Sequence, residues 1–370
     1  MKKNKILIIS ISAGTGHIMA GNALEKTAKE SFKNLDVKHI DIADFMPKPI
    51  KALSVNSYEL MAKKMPELWG LLYDKTDNTK ASTLLNNILK LSKYFSVNQF
   101  LSEIKKINPD YIICTHFLPA YFINHSPKKT KPECPLAMVI TDYELHSLWL
   151  SKNISHYFVA TDKMKKSIEK KYIKNIKITV SGIPLRPEFY KKKSVIALKK
   201  KHKLQKDNFT ILVLAGGHGL IKTDKIVKLL SKTSLDLNII AVAGKNLKLK
   251  NNLKKIKTTK GKEIKVMGWV NKIDELIRIS DIVITKPGGI SVSECIALNK
   301  PIFAVRPIPG QEEKNVQFIQ KNKLGKLIGT PEDLLQYIRA FKTGKLKFSK
   351  LKVQNSSKII LGEIKKEMNR

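Results

Sequence analysis

The sequence predicts an α/β protein built from two doubly wound parallel sheets, and three observations lead to this fold class. The chain has 370 residues, which is long for one hydrophobic core and favours two domains. Short β-branched apolar runs alternate with polar stretches of helical character, the order that builds parallel sheets from βαβ units. A content of 42% hydrophobic and 27% charged residues is typical of a globular protein.

The strand-like runs fall into two groups, each large enough for a sheet of its own. The first group consists of Ile6–Ile11, Val37–Ile40, Tyr111–Thr115, Leu136–Thr141, Tyr157–Ala160 and Ile178–Ser181. The second consists of Thr210–Ala215, Asn238–Ala243, Ile264–Met267, Asp281–Thr285 and Pro301–Val305. Between them, Glu188–Asp207 is rich in lysine and has no strand pattern. We therefore expect one domain over residues 1–190, a second over 205–350 and a charged C-terminal helix over 351–370.

The formal net charge of +38 is the main compositional anomaly. Basic surfaces attract nucleic acids, anionic lipid headgroups and anionic substrates. The excess comes almost entirely from lysine, with only five arginines in the chain. Sequence-specific readers of nucleic acid use arginine for bidentate contacts to guanine, so we expect no nucleic-acid partner. An anionic membrane surface is the partner that we expect instead, although genome base composition is an alternative source of part of the charge.

Nothing in the sequence resembles a transmembrane or secretory segment. No apolar run reaches the roughly 18–20 residues of a spanning helix, and Met1–Ser10 lacks the long apolar region of a signal peptide. The three cysteines are scattered without CxxC spacing, which disfavours a zinc site or a disulfide framework. These features predict a cytoplasmic protein.

The stretch Phe45–Phe100 departs from the βαβ alternation. It has no strand pattern, and it places Trp69 and the run Leu71–Tyr73 among lysines. Amphipathic helical material of this kind can lie in a bilayer interface. The alternative is a helix pair packed on the sheet. With the first interpretation, the protein would be peripheral on the cytoplasmic face of the membrane.

The first glycine-rich loop, Ser12–His17 (SAGTGH), follows the first predicted strand. Its glycines permit a sharp turn and a close approach of ligand to backbone. A helix predicted from about Met19 would direct its free N–H groups at an anion. The loop lacks the third glycine of a nicotinamide site. His17, predicted at the loop tip, could act as a general base near neutral pH, and the alternative is a capping or surface histidine.

The second glycine-rich loop, Lys286–Glu294 (KPGGISVSE), follows the strand Asp281–Thr285. We expect a diphosphate to bind the amides and the hydroxyl at the start of the next helix, from Gly288, Gly289, Ile290 and Ser291. No lysine follows in the Walker position, so this is not a P-loop. Glu294, about one turn into that helix, could accept hydrogen bonds from two ribose hydroxyls. A solvated helix residue is the alternative.

Three further loops follow predicted strands. The run Leu214–Gly219 (LAGGHG) brings Gly216 and Gly217 to a strand end, where they could complete a phosphate or sugar site. Met267–Val270 could offer its backbone to a planar base, although Trp269 could equally belong to the core. The proline-rich turn Arg306–Asn315 would deliver Gln311, Glu312 and Asn315 to the carboxyl edge of the sheet, where ligands bind in open α/β sheets.

A carboxylate also follows a strand in the first half of the chain. Asp142 comes directly after Leu136–Thr141, with His146 and Trp149 close behind. We expect it to lie at the active site. A helix cap is the alternative.

The motifs together resemble the diacylglycerol glycosyltransferases, a group that includes monogalactosyldiacylglycerol synthases and processive diacylglycerol glucosyltransferases. They are more distantly similar to the peptidoglycan transferase MurG. The resemblance extends in family order from Ser12 to Asn315 and rests on SAGTGH, TDYELHSLW, VSGIPLRPEF, LAGGHG, MGWV, TKPGGISVSE and RPIPGQEEKN. One departure is that relatives often carry GGGH or GNGH where this chain has Ala13-Gly-Thr-Gly-His17.

The resemblance implies a GT-B fold, with two Rossmann-like domains facing across a cleft. It also implies an inverting transfer of a hexose from a UDP-sugar to diacylglycerol or a related lipid, with no cofactor and no metal. His17 would be the base, helped by Asp142. The donor-binding residues would be Gly16, Gly216, Gly217, Trp269, Val270, Gly288, Gly289, Ile290, Ser291, Glu294, Gln311, Glu312 and Asn315.

Within that set the resemblance assigns parts of the donor. The uracil would lie near Trp269 and Val270, the ribose on Glu294, and the sugar on Gln311 and Glu312. Two alternatives remain open at this point. One is a MurG-like or other UDP-sugar enzyme with a different acceptor, including a UDP-GlcNAc epimerase. The other is a non-enzymatic nucleic-acid-binding protein, which explains the charge but not the loops.

Overall fold

The computed structural model describes residues 3–12, 14–46, 97–171, 176–216, 222–259 and 261–369. The chain divides into two compact units. The first contains Met1–Pro187, Ile308–Gln311 and Gln354–Arg370, and the second contains Glu188–Pro307 and Glu312–Val353. Most of the predicted amphipathic stretch Phe45–Phe100 lies outside the described residues.

The first unit is built on a parallel six-stranded sheet in the order β2-β1-β3-β4-β5-β6. Its strands are β1 Asn4–Ser10, β2 Leu35–Asp41, β3 Tyr111–Cys114, β4 Leu136–Val139, β5 His156–Val159 and β6 Lys177–Val180. Helices connect the strands: α1 Thr15–Ser31, α2 Val97–Ile107, α3 Phe117–Asn124 and α4 Asp162–Lys171. All the pairings are parallel, as the alternation of strands and helices predicts.

The strand β1 lies between β2 and β3 and is buried on both faces, which explains why its sequence is a continuous apolar run. Ile6 and Ile8 belong to one hydrophobic cluster of the first unit, and Leu7 and Ile9 belong to another. Because successive side chains of a strand point to opposite faces, the two clusters lie on opposite sides of the sheet.

The second unit has the same architecture, with a parallel sheet in the order β12-β11-β10-β7-β8-β9. Its strands are β7 Phe209–Leu214, β8 Leu237–Val242, β9 Lys262–Met267, β10 Ile282–Thr285, β11 Ile302–Val305 and β12 Gly325–Ile328. Its helices are α5 Val195–Lys201, α6 Thr223–Ser231, α7 Leu247–Lys254, α8 Ile273–Ile279, α9 Gly289–Ala297, α10 Gln311–Lys321 and α11 Pro331–Lys342. The first residue of α10, Gln311, is grouped with the first unit.

The C-terminal helix α12, Ser356–Met368, packs on the first unit. Its buried residues Ile360, Leu361 and Ile364 join the hydrophobic cluster that contains Ile6 and Ile8. The chain end therefore completes the core of the unit in which the chain begins.

The predicted α/β class with two parallel sheets is confirmed, and each of the eleven predicted strands corresponds to an observed one. The prediction missed β12. This edge strand has only four residues and exposes Leu327, so it has no apolar run to mark it. Within the described ranges, no helix is both long enough and apolar enough to cross a bilayer.

Candidate active site

Each sheet has one point where the strand order reverses, and the two glycine-rich loops Ser12–His17 and Lys286–Glu294 lie at these points. In the first unit the chain proceeds from β1 to β2 on one side and from β3 onward on the other. The loop after β1 and the residues after β3 therefore meet at the carboxyl edge. Ligands of open α/β sheets bind at such a switch point.

His17 lies in the first turn of α1, because this helix begins at Thr15 rather than near Met19. The prediction that His17 is at a loop tip is therefore wrong. Gly14, with φ +86°, makes the turn that precedes the helix, a conformation that glycine adopts without strain. Gly16 lies inside the same first turn. The turn thus presents a half-buried histidine, and not a free loop, at the switch point.

Two groups contact the Nδ1 atom of His17. The backbone carbonyl oxygen of Thr115 lies 3.0 Å away, and the hydroxyl of Thr141 lies 2.9 Å away. Burial lowers the pKa of His17 to about 4, although the hydrogen bond with Thr115 partly opposes this change. The ring is therefore neutral near pH 7, as a general base must be before it accepts a proton.

A polar network lies behind His17. The Ser10 hydroxyl is 2.7 Å from the Thr115 hydroxyl and 2.7 Å from Nε2 of His39, and it donates to the His17 carbonyl oxygen. The Thr115 hydroxyl donates to the same carbonyl oxygen. Desolvation lowers the pKa of His39, while Glu25 and Asp41 act in the opposite direction.

Aromatic rings pack around His17 in the first unit. The ring centroids of His116 and Trp149 lie 4.6 and 6.0 Å from that of His17, and Phe117 packs on both of these neighbours. Burial and the neighbouring His17 both keep the pKa of His116 well below its ordinary value. His17 therefore lies against a largely apolar wall.

Asp142 is buried and is not the partner of His17. Both of its carboxylate oxygens accept from Nε2 of Gln311 at 2.8 Å, and both residues belong to the first unit. Asp142 follows Thr141, which does contact His17. The residue next to Asp142 in the sequence therefore contacts His17, whereas the Asp142 carboxylate is bound to Gln311.

Sequence reasoning singled out His17 and Asp142 but missed Ser10, Thr115 and His116. Thr115 and His116 directly follow β3, which neighbours β1 at the switch point. The strand order would have identified them, but a single sequence does not determine that order.

In the second unit the strand order reverses between β7 and β10. Gly216, with φ +79°, follows β7, and the second glycine-rich loop follows β10. The two predicted phosphate loops therefore flank the switch point of this sheet. Gly217 lies outside the described residues.

Helix α9 begins at Gly289, with Gly288 as its N-cap and no side chain capping it. The first amides of a helix have no partner within the helix, and they carry the positive end of its dipole. Gly289, Ile290 and Ser291 supply these amides at the carboxyl edge of the sheet, which is the arrangement that binds phosphates at helix N-termini.

Side chains from α10 approach this glycine loop. Asn315 is fully buried and donates to the carbonyl oxygen of Pro287 at 3.0 Å. Glu312, also buried, forms an ion pair with Lys286 at 2.9 Å. A Cβ on Gly288 would lie 3.7 Å from the Glu312 carboxylate. The structure therefore brings Glu312 and Asn315 to the predicted diphosphate loop, and the Lys286 contact was not predicted.

Glu294 is buried in α9, so its interpretation as a solvated helix residue is wrong. Trp269 is 48% exposed, so its interpretation as a core residue is also wrong. Its indole N–H donates to Asn271, and the ammonium of Lys245 lies 5.3 Å from the ring centroid. An exposed indole face after a strand can stack on a planar base.

Trp269 and Val270 follow β9, whereas Gly288 follows β10, three strand spacings away in the sheet. Adjacent strands are about 4.8 Å apart, so the two loops are separated by about 14 Å. The predicted base and diphosphate contacts are therefore spread along one sheet edge, as an extended nucleotide requires. Among the described residues, no group of three His, Cys, Asp or Glu side chains could hold a metal ion.

Comparison with known proteins identifies the family to which this chain belongs. The sequence model of monogalactosyldiacylglycerol (MGDG) synthase matches residues 17–185, and that of the glycosyltransferase family 28 C-terminal domain matches residues 210–360. A processive diacylglycerol β-glucosyltransferase of Bacillus subtilis is 31% identical, covering 99% of this chain and 96% of that protein. The chain belongs to the diacylglycerol glycosyltransferase family. A Bacillus pumilus member with the same name is 30% identical over 97% and 94% of the two chains.

Solved structures of other proteins share the fold of this chain. MurG from Acinetobacter baumannii superposes with a TM-score of 0.61 at 12% identity, covering 98% of this chain and 99% of that one. Staphylococcus aureus MnaA, solved with UDP, gives 0.59 at 15% identity over 99% and 97%. These likenesses confirm the predicted GT-B fold class with two Rossmann-like domains.

Proposed function

We propose that this chain transfers a hexose, with inversion, from a UDP-sugar to the hydroxyl group of diacylglycerol or a related lipid. The observation that carries the proposal is the match to a processive diacylglycerol β-glucosyltransferase over 99% of this chain and 96% of the relative. The names of the relatives support glucose as the sugar, a choice that the sequence motifs leave open.

The second unit binds the donor in this proposal. The diphosphate accepts hydrogen bonds from the amides of Gly289, Ile290 and Ser291, and Glu294 accepts from the ribose. The uracil stacks near Trp269, whose indole is exposed at the same sheet edge. Glu312 accepts hydrogen bonds from hydroxyls of the sugar. The support for these assignments is the placement of these residues at and beside the switch point.

The first unit supplies the base. The lipid hydroxyl oxygen attacks the anomeric carbon while the bond from that carbon to the UDP oxygen breaks. His17 takes the hydroxyl proton, and UDP leaves with the electron pair of the broken bond. The neutral state of His17 near pH 7 supports this role, because a protonated ring could not accept the proton. Asp142, held by Gln311, orients the acceptor side without sharing the proton of His17.

We also propose that the transfer needs neither a metal nor another cofactor. The negative charge that develops on the leaving diphosphate is stabilised by the helix N-terminus of α9 and its free amides. A chelator added to the purified enzyme tests this part, and loss of turnover on chelation would contradict it.

We further propose that the protein acts on its lipid at an anionic membrane surface as a peripheral protein. The net charge of +38 supports this, since each lysine near an anionic leaflet contributes about 1 kcal/mol to binding. The lipid acceptor itself requires access to a bilayer.

The decisive experiment incubates the purified protein with diacylglycerol and, separately, UDP-glucose, UDP-galactose and UDP-GlcNAc. Lipid products are resolved by mass and by sugar composition, and the anomeric configuration is determined by NMR. A hexosyl-diacylglycerol of inverted configuration is the expected product. Transfer only to a different acceptor, or epimerisation of UDP-GlcNAc without transfer, would overturn the proposal.

A further inference from the structure

We propose that Thr115 and Thr141 are positioning residues that hold His17 in the tautomer whose lone pair lies on Nε2. The inference rests on the proposed function, in which His17 takes the acceptor proton. It adds which nitrogen takes that proton and which residues determine the choice.

The carbonyl oxygen of Thr115 decides the tautomer. It lies 3.0 Å from Nδ1 of His17, and a carbonyl oxygen can only accept a hydrogen bond. Nδ1 must therefore carry the proton, because otherwise two lone pairs would face each other at this distance. A neutral imidazole has one N–H and one lone pair, so the lone pair lies on Nε2.

Thr115 and His17 hold each other at two points. The His17 ring donates to the backbone of Thr115, and the Thr115 hydroxyl donates to the backbone carbonyl of His17 at 3.1 Å. The buried Ser10 hydroxyl contacts the Thr115 hydroxyl at 2.7 Å and fixes its position. These contacts join the first turn of α1 to the residue that follows β3, and they hold both next to the His17 ring.

Thr141 provides the second contact to Nδ1, at 2.9 Å, from the segment that follows β4. Its hydroxyl can serve as an acceptor for the shared N–H, and it restrains rotation of the ring about its bond to Cβ. The next residue, Asp142, is a carboxylate, but it is bound to Gln311. His17 is therefore positioned by neutral groups, in contrast to a base oriented by a carboxylate.

The neighbouring His116 is a useful comparison, because its contacts favour the other tautomer. Nδ1 of His116 accepts a hydrogen bond from the backbone N–H of Leu118 at 3.1 Å, so a neutral His116 carries its proton on Nε2. The two rings lie 4.6 Å apart between centroids and have opposite tautomers. In both, a backbone group of the segment Thr115–Leu118 determines which nitrogen is protonated.

The test combines a spectroscopic and a kinetic measurement on the full-length protein. Histidines are labelled with ¹⁵N, the His17 signals are assigned by their loss in His17→Gln, and their shifts report which nitrogen is protonated. Thr141→Val is expected to lower kcat about tenfold, the effect of one lost hydrogen bond of about 1.4 kcal/mol, with an unchanged KM for the UDP-sugar. Thr141→Ser is expected to restore kcat.

A matched control is available in the same unit. Thr179 contacts Nε2 of His156 at 2.8 Å, so Thr179→Val removes an equivalent threonine–histidine contact away from the switch point and is expected to leave kcat unchanged. A proton on Nε2 of His17 in the resting enzyme overturns the proposal, as does wild-type kcat in Thr141→Val. Full turnover in His17→Gln instead overturns the role of His17 in the proposed function.

Discussion

Gly21 of α1 lies directly against His39 of β2. A Cβ at position 21 would be 2.4 Å from Nε2 of His39 and 2.6 Å from the hydroxyl of Ser10. Neither neighbour can move freely, because the two bond to each other and His39 also contacts Asn22 at 2.9 Å. The absence of a side chain at Gly21 thus allows the helix to pack on the polar network behind His17.

Gly21→Ala is therefore expected to destabilise the protein, against the ordinary preference of helices for alanine. Overpacking at this position should cost about 1–3 kcal/mol of the free energy of unfolding, measured by urea denaturation. Gly362→Ala is the control, since Gly362 lies in α12 with nothing within 4 Å of the added Cβ. It should gain about 0.5–1 kcal/mol. Equal effects at both positions would show that the close contact does not resist the substitution.

His17→Ala is expected to lose most of the turnover, by about a hundredfold or more, because a positioned general base contributes this much. Binding of UDP, measured by calorimetry, should be retained, because the predicted nucleotide contacts are in the second unit. Near-normal kcat in this variant would remove His17 from the mechanism.

The pH dependence of kcat offers an independent test of His17. Burial lowers its pKa to about 4, so the neutral, proton-accepting form predominates above that pH and is lost as the pH falls through it. The acid limb of the kcat profile should therefore have its midpoint near pH 4, provided the protein remains folded there by circular dichroism. A midpoint near 6.5, the ordinary value for histidine, would indicate a solvated ring or a different base.

Glu294→Gln is expected to weaken donor binding while leaving the fold intact. A buried carboxylate that accepts from ribose hydroxyls forms stronger hydrogen bonds than an amide, and its loss should raise the KM for the UDP-sugar about tenfold. Glu332→Ala, an exposed residue in the first turn of α11, is the control. An unchanged donor KM in Glu294→Gln would contradict the ribose assignment.

Binding to lipid vesicles tests the membrane proposal. The protein is expected to sediment with vesicles containing phosphatidylglycerol but not with pure phosphatidylcholine, and high salt should release it because lysine–headgroup attraction is screened. Equal binding to both vesicle types would indicate hydrophobic insertion in place of charge attraction.

The alternation of apolar runs predicted most of the fold, because strands buried on both faces are continuous in sequence. The strand β1 is an example, with Ile6 to Ile9 all buried. The edge strand β12 was missed because Leu327 is exposed there and the burial pattern is irregular. The start of α1 was misplaced because Thr15 and Gly16 are weak helix formers, whereas the turn at Gly14 sets the helix start.

The candidate site was only partly predictable, because its contacts join residues far apart in the chain. The sequence identified His17 and Glu312 from the glycine-rich and proline-rich stretches in which they occur. It did not identify Thr115, which is 98 residues from His17, or the pairing of Asp142 with Gln311, which spans 169 residues. Such contacts depend on strand order and register, and local sequence patterns carry no information on either.

Removal of the ion pair between Lys286 and Glu312 should separate turnover from stability and UDP binding. Glu312 is buried beside the predicted diphosphate loop, and Lys286 is its cationic partner at 2.9 Å. Lys286→Met leaves a buried carboxylate without this partner, which should cost about 2–4 kcal/mol of unfolding free energy and weaken UDP binding through repulsion of the diphosphate.

The double variant Lys286→Met with Glu312→Gln removes both charges and should recover most of the lost stability, as replacement of a whole buried ion pair often does. UDP binding should recover with it, because the negative charge beside Gly288 is gone. Turnover should remain low, since an amide at position 312 offers the sugar one neutral acceptor oxygen in place of the two charged oxygens of a carboxylate. Urea denaturation, calorimetry with UDP and the product assay measure the three quantities separately. Recovery of turnover together with UDP binding would show that Glu312 serves only the ion pair and does not contact the sugar.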